Sequence, residues 1–308
     1  MGNTYVVTGT TSGIGLALVE QLLERGCDVI GVARSAERCV REEKRLRAAY
    51  PETRVTYVVA DLSIQAEVRK AAREIESVLS RWGVKALDGL VNNAGTFTSR
   101  RELTPEGFET QWAVNHLAPF LLTHELLPLL ERSSDARVVT VSSESHYRTR
   151  LRWKDIQLLE YYNPLRAYKQ TKLANVLFTA QLNRRLGPDS SVHAVAADPG
   201  VVNTAIGQKT QCRLVRWFWA LRRRMGVPPA QAAAGIAKLL FDPSLPGTPA
   251  IYWKHGSEGS KSSFAMPAAA RAGETPMRRR RAQNQRTRPH WVFCPMSVFT
   301  TPGSAATA

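Results

Sequence analysis

The sequence has few cysteines and no arrangement that would pair them. Only four occur in 308 residues, and none belongs to a C-x-x-C pair. Small disulfide-stabilised proteins and zinc-binding modules depend on closely spaced cysteines, so the sequence excludes both classes. Scattered single cysteines are typical of a reducing compartment. We therefore expect neither disulfide bonds nor a metal site.

Long apolar runs are also missing. No stretch approaches the roughly 20 apolar residues of a membrane-spanning helix, and the chain reaches a β-branched run at Tyr5–Val7 without a basic leader. Met1-Gly2 could begin a myristoylation signal, but Val6 stands where that signal needs Ser or Thr. The sequence predicts a cytoplasmic protein and leaves peripheral membrane association open.

Acidic residues are scarce: 26 of them face 42 basic residues, for a net charge of +16. Nearly half of this excess lies in residues 259–308, which are rich in Ser, Ala, Arg, Pro and Thr and show no sustained periodicity. No nucleic-acid recognition motif accompanies the charge, so we expect a solvated basic surface and no nucleic-acid partner. The composition predicts a folded domain over residues 1–257 and a basic, disordered tail over residues 258–308.

Short β-branched runs alternate with helical patterns along the rest of the chain. The helical patterns lie near 13–25, 36–49, 63–82, 105–131, 165–186 and 228–241. The alternation predicts an α/β fold, with a single doubly wound Rossmann-type parallel sheet of about seven strands and helices on both faces. The predicted strands are Tyr5–Thr8, Asp28–Ala33, Arg54–Ala60, Leu87–Asn92, Arg137–Ser142, Val192–Ala197 and Ala250–Trp253.

A glycine cluster follows the first predicted strand and opens the first helix. Gly9, Gly13 and Gly15 allow a tight turn and let the backbone approach a pyrophosphate, while the helix start directs its unpaired N–H groups at the phosphates. A cluster at this place in a βαβ unit is specific for dinucleotide binding. Ser12 and Ile14 lie within the same loop.

The residue after the second strand bears on the choice of cofactor. NAD-binding folds place Asp or Glu there to hold the ribose 2′-hydroxyl, whereas this sequence has Arg34. A guanidinium suits a 2′-phosphate, so NADP(H) is favoured and NAD(H) stays open. A solvent-facing arginine without a cofactor role is the alternative.

Tyr168 and Lys172 are four residues apart in a helix-forming stretch, so both side chains share one face. A neighbouring ammonium favours the phenolate form of tyrosine, which is a poor base on its own. Polar residues also end three predicted strands: Asn92-Asn93-Ala94-Gly95, Ser142-Ser143 and Asp198-Pro199-Gly200. Ligands of open α/β sheets bind at this carboxyl edge, so these segments predict one site.

Together these motifs resemble the short-chain dehydrogenase/reductase family over roughly residues 3–255. The likeness is greatest to its retinol-dehydrogenase-like branch and to the X-linked type of member within it. The matching segments, in the family's order, are Thr8-Gly9-x-x-x-Gly13-Ile14-Gly15, Asn92-Asn93-Ala94-Gly95, Asn115, Ser143, Tyr168-x-x-x-Lys172 and Pro199-Gly200.

The resemblance implies a role for each matched residue. Tyr168 would exchange the proton, Ser143 would hydrogen-bond the substrate oxygen, and Lys172 would bind the nicotinamide ribose and lower the pKa of the tyrosine. Asn115 would bend its helix and hold a water on the proton path. The cofactor would contact Gly9, Ser12, Gly13, Ile14, Gly15, Arg34, Asp61, Leu62, Asn93, Ala94, Gly95, Tyr168, Lys172 and Thr204.

The expected activity is hydride transfer between NADP(H) and a lipophilic alcohol or carbonyl compound of retinoid, steroid or polyprenoid type. The segment Lys209–Gly226, with three adjacent aromatic residues among arginines, is interpreted either as a substrate lid or membrane-facing helix, or as a helix covering its own core. A non-catalytic, cofactor-binding regulator on the same fold is the alternative function. A homodimer is left open.

Overall fold

The computed structural model describes residues 2–203, 226–248 and 251–258. Its sheet has the order β3-β2-β1-β4-β5-β6-β7-β8, in which β1 to β7 run parallel and β8 pairs antiparallel with β7. The predicted Rossmann-type sheet is confirmed, and the two-residue β8 is an addition to it. The strands are β1 Thr4–Thr8, β2 Asp28–Ala33, β3 Val55–Val59, β4 Gly89–Asn92, β5 Ala136–Val141, β6 Val192–Asp198, β7 Tyr252–Lys254 and β8 Ser257–Glu258.

Within the residues that the structure describes, seven α-helical segments connect or follow the strands. A turn of π-helix, Ala113–Leu117, joins the short α4 to α5, so these two segments and the π turn form one continuous helical run. The helices are α1 Gly13–Glu24, α2 Ala36–Ala49, α3 Gln65–Arg81, α4 Thr110–Trp112, α5 Ala118–Leu130, α6 Pro164–Leu186 and α7 Pro229–Phe241.

The central strands are buried on both faces, which is why their sequences are apolar throughout instead of alternating. Val6 of β1 belongs to a core cluster with α3 and α5, whereas its neighbours Tyr5 and Val7 belong to a second cluster with α1 and α7. Each fully buried aliphatic side chain contributes roughly 1.5–3 kcal/mol to folding. The sheet therefore carries helices on both faces, as predicted.

One predicted helix begins later than its sequence pattern indicates. The periodicity favours a start near residue 105, but α4 begins at Thr110 because a turn precedes it. Gly107 has a φ of +82° and donates its N–H to the Thr104 carbonyl at 2.9 Å. The Glu109 carboxylate then caps the helix, accepting hydrogen bonds from two amides of its first turn at 3.1 and 2.7 Å.

Several predictions concern residues outside the described ranges. The chain divides into two units, Met1–Ser260 and Lys261–Ala308, and the second of them is not described. Thr204, most of the segment 209–226 and the tail from residue 259 are likewise outside the description. Within the described ranges, no helix has the length and apolarity needed to cross a bilayer. The same residues contain no group of three His, Cys, Asp or Glu side chains that could hold a metal ion.

Candidate active site

The candidate site lies where the carboxyl ends of β1 and β4 are neighbours in the sheet. The chain leaves β1 toward α1 on one face and leaves β4 toward α5 on the other, so a crevice opens between the two connections. The Thr8 hydroxyl joins them by accepting hydrogen bonds from the amides of Asn93 at 3.0 Å and Ala94 at 2.9 Å. Asn93 Nδ2 returns a hydrogen bond of 2.8 Å to the Thr8 carbonyl.

The loop after β1 requires glycine at three positions. Gly9 and Gly13 have φ angles of +74° and +60°, a region that side chains disfavour. A Cβ on Gly15 would overlap the Gly9 carbonyl and lie 2.6 Å from Asn93 Nδ2. The glycines thus allow helix α1 to start directly against the strand ends.

The N-terminus of α1 presents free donors to this crevice. Ser12 is exposed, has an extended backbone and does not cap the helix with its side chain. The first N–H groups of a helix have no partner within it, and the helix dipole favours an anion there. The loop, with Ile14 in the first turn, therefore fits a pyrophosphate group.

The ends of β2 and β3 place the other predicted cofactor residues. Arg34 follows β2 directly, is exposed, and forms no ion pair with any residue that the structure describes. Asp61 lies two residues after β3, where its carboxylate accepts a hydrogen bond from the Ser63 amide at 2.9 Å. Leu62 beside it is buried. These positions extend the candidate cofactor site from the glycine loop along the same edge of the sheet.

Helix α6 carries the tyrosine–lysine pair. The helix begins at Pro164 and is capped by Asn163, whose side-chain oxygen accepts a hydrogen bond of 2.9 Å from the amide of Arg166. Tyr168 is half-buried, and the Lys172 ammonium lies 5.5 Å from the centre of its ring. The predicted shared helix face is thus seen in the geometry.

Lys172 is buried and its ammonium is held by the main chain. Nζ donates a hydrogen bond of 3.0 Å to the Val141 carbonyl at the end of β5. Burial lowers the pKa of Lys172 to about 8, and the negative charge of Asp198 acts against this shift. The side chain is therefore predominantly charged at neutral pH.

Ser143 follows β5 and is tied to the same helix through its neighbour. The Ser142 hydroxyl donates a hydrogen bond of 2.9 Å to the Lys172 carbonyl. Ser143 itself is half-buried, and its hydroxyl accepts a hydrogen bond from the Ser145 amide at 3.3 Å. The chain beside Ser143 is therefore hydrogen-bonded to helix α6, which carries both Lys172 and Tyr168.

Asn115 lies in the π turn, a feature that often marks functional sites. Its side chain accepts a hydrogen bond from the Thr96 amide at 2.7 Å and donates one to the Thr96 carbonyl at 3.0 Å. A Cβ on Gly95 would lie 3.5 Å from Asn115 Oδ1 and 3.9 Å from Lys172 Nζ, so the backbone after β4 reaches both. The π turn lies where the bend was predicted, and both the bend and the water role of Asn115 remain predictions.

Some residues of the site had no predicted role. Asn175 donates hydrogen bonds to the Asn115 carbonyl at 2.8 Å and to the Val141 carbonyl at 3.3 Å. Asn175 lies three residues after Lys172, on the same face of α6. A polar residue on this buried helix face is the feature of the sequence that could have identified it as part of the site. Phe97, buried and edge-on to Tyr168 at 6.0 Å between ring centres, adds an apolar wall.

The structure brings most of the predicted residues to one edge of the sheet. Thr204 is the exception, because it lies outside the described residues. Adjoining this edge are Gly9, Ser12, Gly13, Ile14, Gly15, Arg34, Asp61, Leu62, Asn93, Ala94, Gly95, Asn115, Ser143, Tyr168 and Lys172.

Comparison with known proteins agrees with this arrangement. Residues 3–213 match the short chain dehydrogenase family. A human dehydrogenase/reductase, SDR family member 13, is 41% identical over 207 residues, which cover 67% of this chain and 53% of that protein. Human retinol dehydrogenase 11 is 34% identical over 232 residues, or 75% of this chain and 70% of that protein.

A solved structure adds the same result at the level of the fold. An uncharacterised protein from Mycobacterium paratuberculosis is 38% identical, with a TM-score of 0.54 over 64% of this chain and 68% of that one. The family match, the sequence identities and the fold all indicate the same family. This chain belongs to the short-chain dehydrogenase/reductase family of oxidoreductases that act on CH–OH groups, within its retinol-dehydrogenase-like branch.

Proposed function

We propose that the chain transfers a hydride between NADP(H) and the alcohol or carbonyl carbon of a small lipophilic substrate. The observation that carries this proposal is the position of Tyr168, Lys172 and Ser143. Tyr168 and Lys172 pair on α6, and the Lys172 carbonyl is hydrogen-bonded to Ser142, the residue before Ser143, at the sheet edge that also holds the glycine loop. The glycine loop that would bind the phosphates and the side chains that would transfer the proton thus lie at the same edge of the sheet. A reaction on a bound dinucleotide requires this arrangement.

The three side chains divide the acid–base work. Tyr168 exchanges a proton with the substrate oxygen, and the nearby ammonium of Lys172 favours its phenolate form. The Ser143 hydroxyl donates a hydrogen bond to the same oxygen and stabilises the charge that develops on it. When bound, the nicotinamide ring supplies or receives the hydride.

The proposal of NADP(H) rests on Arg34. Nicotinamide cofactors are what the fold of this family binds. At the end of β2, the exposed guanidinium has no ion-pair partner among the described residues and can approach a 2′-phosphate. A bidentate contact of this kind is a strong one, and the ribose hydroxyl of NAD(H) offers no charge to match it.

A lipophilic substrate is supported by the apolar side of the site and by the relatives. Phe97 packs edge-on against Tyr168, so an apolar surface adjoins the reacting group. One of the relatives described above is named for retinol, a lipophilic alcohol. We extend this substrate class to the present chain.

The test is a turnover screen of the purified chain. Lipophilic alcohols and aldehydes of retinoid, steroid and polyprenoid type are assayed with NADPH/NADP and with NADH/NAD. We expect turnover with at least one lipophilic pair and higher catalytic efficiency with the phosphorylated cofactor. Binding of NADPH without turnover of any substrate would favour the non-catalytic regulator. Sedimentation of the same sample determines whether the chain forms the homodimer that the sequence leaves open.

Peripheral membrane contact is proposed on a surface close to the site. Between Ser143 and Tyr168, the side chains of Trp153, Leu159 and Tyr161 are 63%, 64% and 66% exposed. Exposed aromatic side chains among basic ones suit the headgroup region of an anionic membrane. The exposed bases of this segment are Arg148, Arg150, Arg152, Lys154 and Arg166, against the acids Glu144, Asp155 and Glu160.

Replacing Trp153 and Tyr161 together with serine should weaken binding to vesicles that contain phosphatidylserine by roughly tenfold or more, because each ring loses apolar burial worth about 1.5–3 kcal/mol at full depth. Co-sedimentation measures the binding. Val40→Ser, at an exposed apolar position of α2, is the control and should leave it unchanged. Equal losses in both variants, or equal binding of the unmodified chain to neutral vesicles, would contradict the proposed surface.

We propose that residues 259–308 are dispensable for folding and cofactor binding. Every described site residue precedes them, and the sheet ends with β8 at Glu258. A chain truncated after Glu258 should keep its melting temperature and its NADPH affinity. As a control, truncation after Thr248 removes β7, including Trp253 from the second core cluster, and should lower the melting temperature strongly. A comparable drop for the first truncation would show that the tail stabilises the domain.

A further inference from the structure

The peptide group that follows Ser143 is held at both of its polar atoms by side chains. Its N–H, on Glu144, donates a hydrogen bond of 2.7 Å to Asp198 Oδ2. Its carbonyl, on Ser143, lies 2.6 Å from His146 Nδ1 and also accepts a hydrogen bond from the His146 amide at 3.0 Å. The orientation of this peptide therefore depends on two side chains from different elements.

The geometry defines the tautomer of His146. A carbonyl oxygen only accepts hydrogen bonds, so Nδ1 must carry the hydrogen. The imidazole is 2% exposed, and its burial lowers the pKa of His146, which keeps the ring neutral. The rings of Tyr147 and Tyr252 lie 4.1 and 4.6 Å from it between centroids. His146 is thus a buried donor with little rotational freedom.

Asp198 ends β6 and is the acceptor on the other side. Its carboxylate is buried and accepts three hydrogen bonds: from the Glu144 amide at 2.7 Å, the Gly200 amide at 2.7 Å and the Tyr252 hydroxyl at 2.6 Å. Burial and the charge of Asp198 raise the pKa of Tyr252, so the phenol remains a donor. Three donors offset the cost of burying the carboxylate.

We propose that His146 and Asp198 are positioning residues for Ser143. By fixing the peptide after Ser143 they fix the backbone from which its hydroxyl extends, and so the place where that hydroxyl meets the substrate oxygen. The inference rests on the role proposed above for Ser143. Misplacement of a reacting group by about 1 Å can cost on the order of 100-fold in rate, so two hydrogen bonds far from the cofactor phosphates can affect turnover.

The inference can be tested with substitutions of His146 that place a hydrogen-bond donor at different distances from the Ser143 carbonyl. Asparagine puts its amide nitrogen near the position of Nδ1, glutamine puts it one bond farther along the chain, and leucine has no donor. We expect His146→Leu and His146→Gln to lower kcat about 10- to 100-fold. His146→Asn should stay within about threefold of the unmodified chain. The affinity for NADPH, measured by fluorescence, should be unchanged in all three.

Lys254→Gln is the matched control. Lys254, at the end of β7, forms an ion pair of 2.7 Å with Glu144, and the two side chains are 37% and 58% exposed. Exposed pairs contribute little, so this variant should keep its kcat and its melting temperature.

Hydrogen exchange of the peptide covering residues 142–150 gives a readout that needs no turnover. The segment should exchange faster in His146→Leu and His146→Gln than in His146→Asn. Faster exchange with unchanged kcat would overturn the positioning role, as would an equal loss of kcat in all three variants or a parallel loss of NADPH affinity. The unmodified chain could turn over no substrate while the two variants still exchange faster than His146→Asn. In that case the proposed function fails, but His146 is still shown to hold the peptide after Ser143 in place. Equal exchange in all three variants and in the unmodified chain would show that His146 does not hold this peptide.

Discussion

Replacing Tyr168 with phenylalanine should lower kcat by about 10²- to 10⁴-fold, the usual contribution of a general acid–base group. The variant removes one oxygen and keeps the ring. The edge-on contact with Phe97 and the position of Lys172 are therefore retained. Affinity for NADPH should stay close to that of the unmodified chain, because the glycine loop and Arg34 are untouched. Steady-state kinetics and a fluorescence titration measure the two quantities separately.

The control for this experiment is Tyr50→Phe. Its hydroxyl donates a hydrogen bond of 3.3 Å to Glu24 at the end of α1, far from the carboxyl edge of the sheet. This variant should show unchanged turnover. Near-normal kcat in Tyr168→Phe would eliminate the proposed mechanism, whatever the identity of the substrate.

Replacing Arg34 with aspartate should change the ratio of catalytic efficiencies with NADPH and NADH by on the order of 100-fold or more. A hydrogen bond to a charged group is worth about 1.5–3 kcal/mol, which corresponds to roughly 10- to 150-fold for the lost phosphate contact. The introduced carboxylate repels the 2′-phosphate and accepts a hydrogen bond from the ribose hydroxyl of NADH. Measurement of kcat/KM with both cofactors gives the ratio.

A net-charge effect must be separated from a local one. Arg132→Asp makes the same change of charge at an exposed position after α5, near the start of β5 and thus at the opposite edge of the sheet. It should leave the cofactor ratio unchanged. An unchanged ratio in Arg34→Asp, or an equal change in both variants, would show that Arg34 does not contact the 2′-phosphate.

The sequence allowed the sheet and most of the site to be predicted because both depend on local patterns. Buried parallel strands are continuous apolar runs, and each predicted site segment follows such a run. Once the strands are parallel, the ends of β1, β4 and β5 must meet at one edge. The pairing of Tyr168 with Lys172 needs only helical spacing.

The hydrogen bonds around Ser143 could not be predicted in this way. Asp198 meets residues that are 54 positions away on either side, Glu144 before it and Tyr252 after it. Nothing in the local pattern indicates such contacts. His146 is close to Ser143 in sequence, but its role depends on the bend of the chain after β5. The late start of α4 was missed because a turn at Gly107 overrides an apolar periodicity.

The buried ammonium of Lys172 has a cost for the folded state. Its pKa is about 8 in the fold against an ordinary value of 10.5, so the folded chain binds this proton less tightly than the unfolded chain does. At neutral pH the free energy of unfolding is therefore about 3 kcal/mol lower than it would be if Lys172 kept its ordinary pKa in the fold. As pH rises through the window from about 8 to 10.5, the unfolded chain holds more protons and this loss is recovered. The burial of Lys172 therefore costs folding stability at neutral pH, and in return it keeps a cation beside Tyr168 in that pH range.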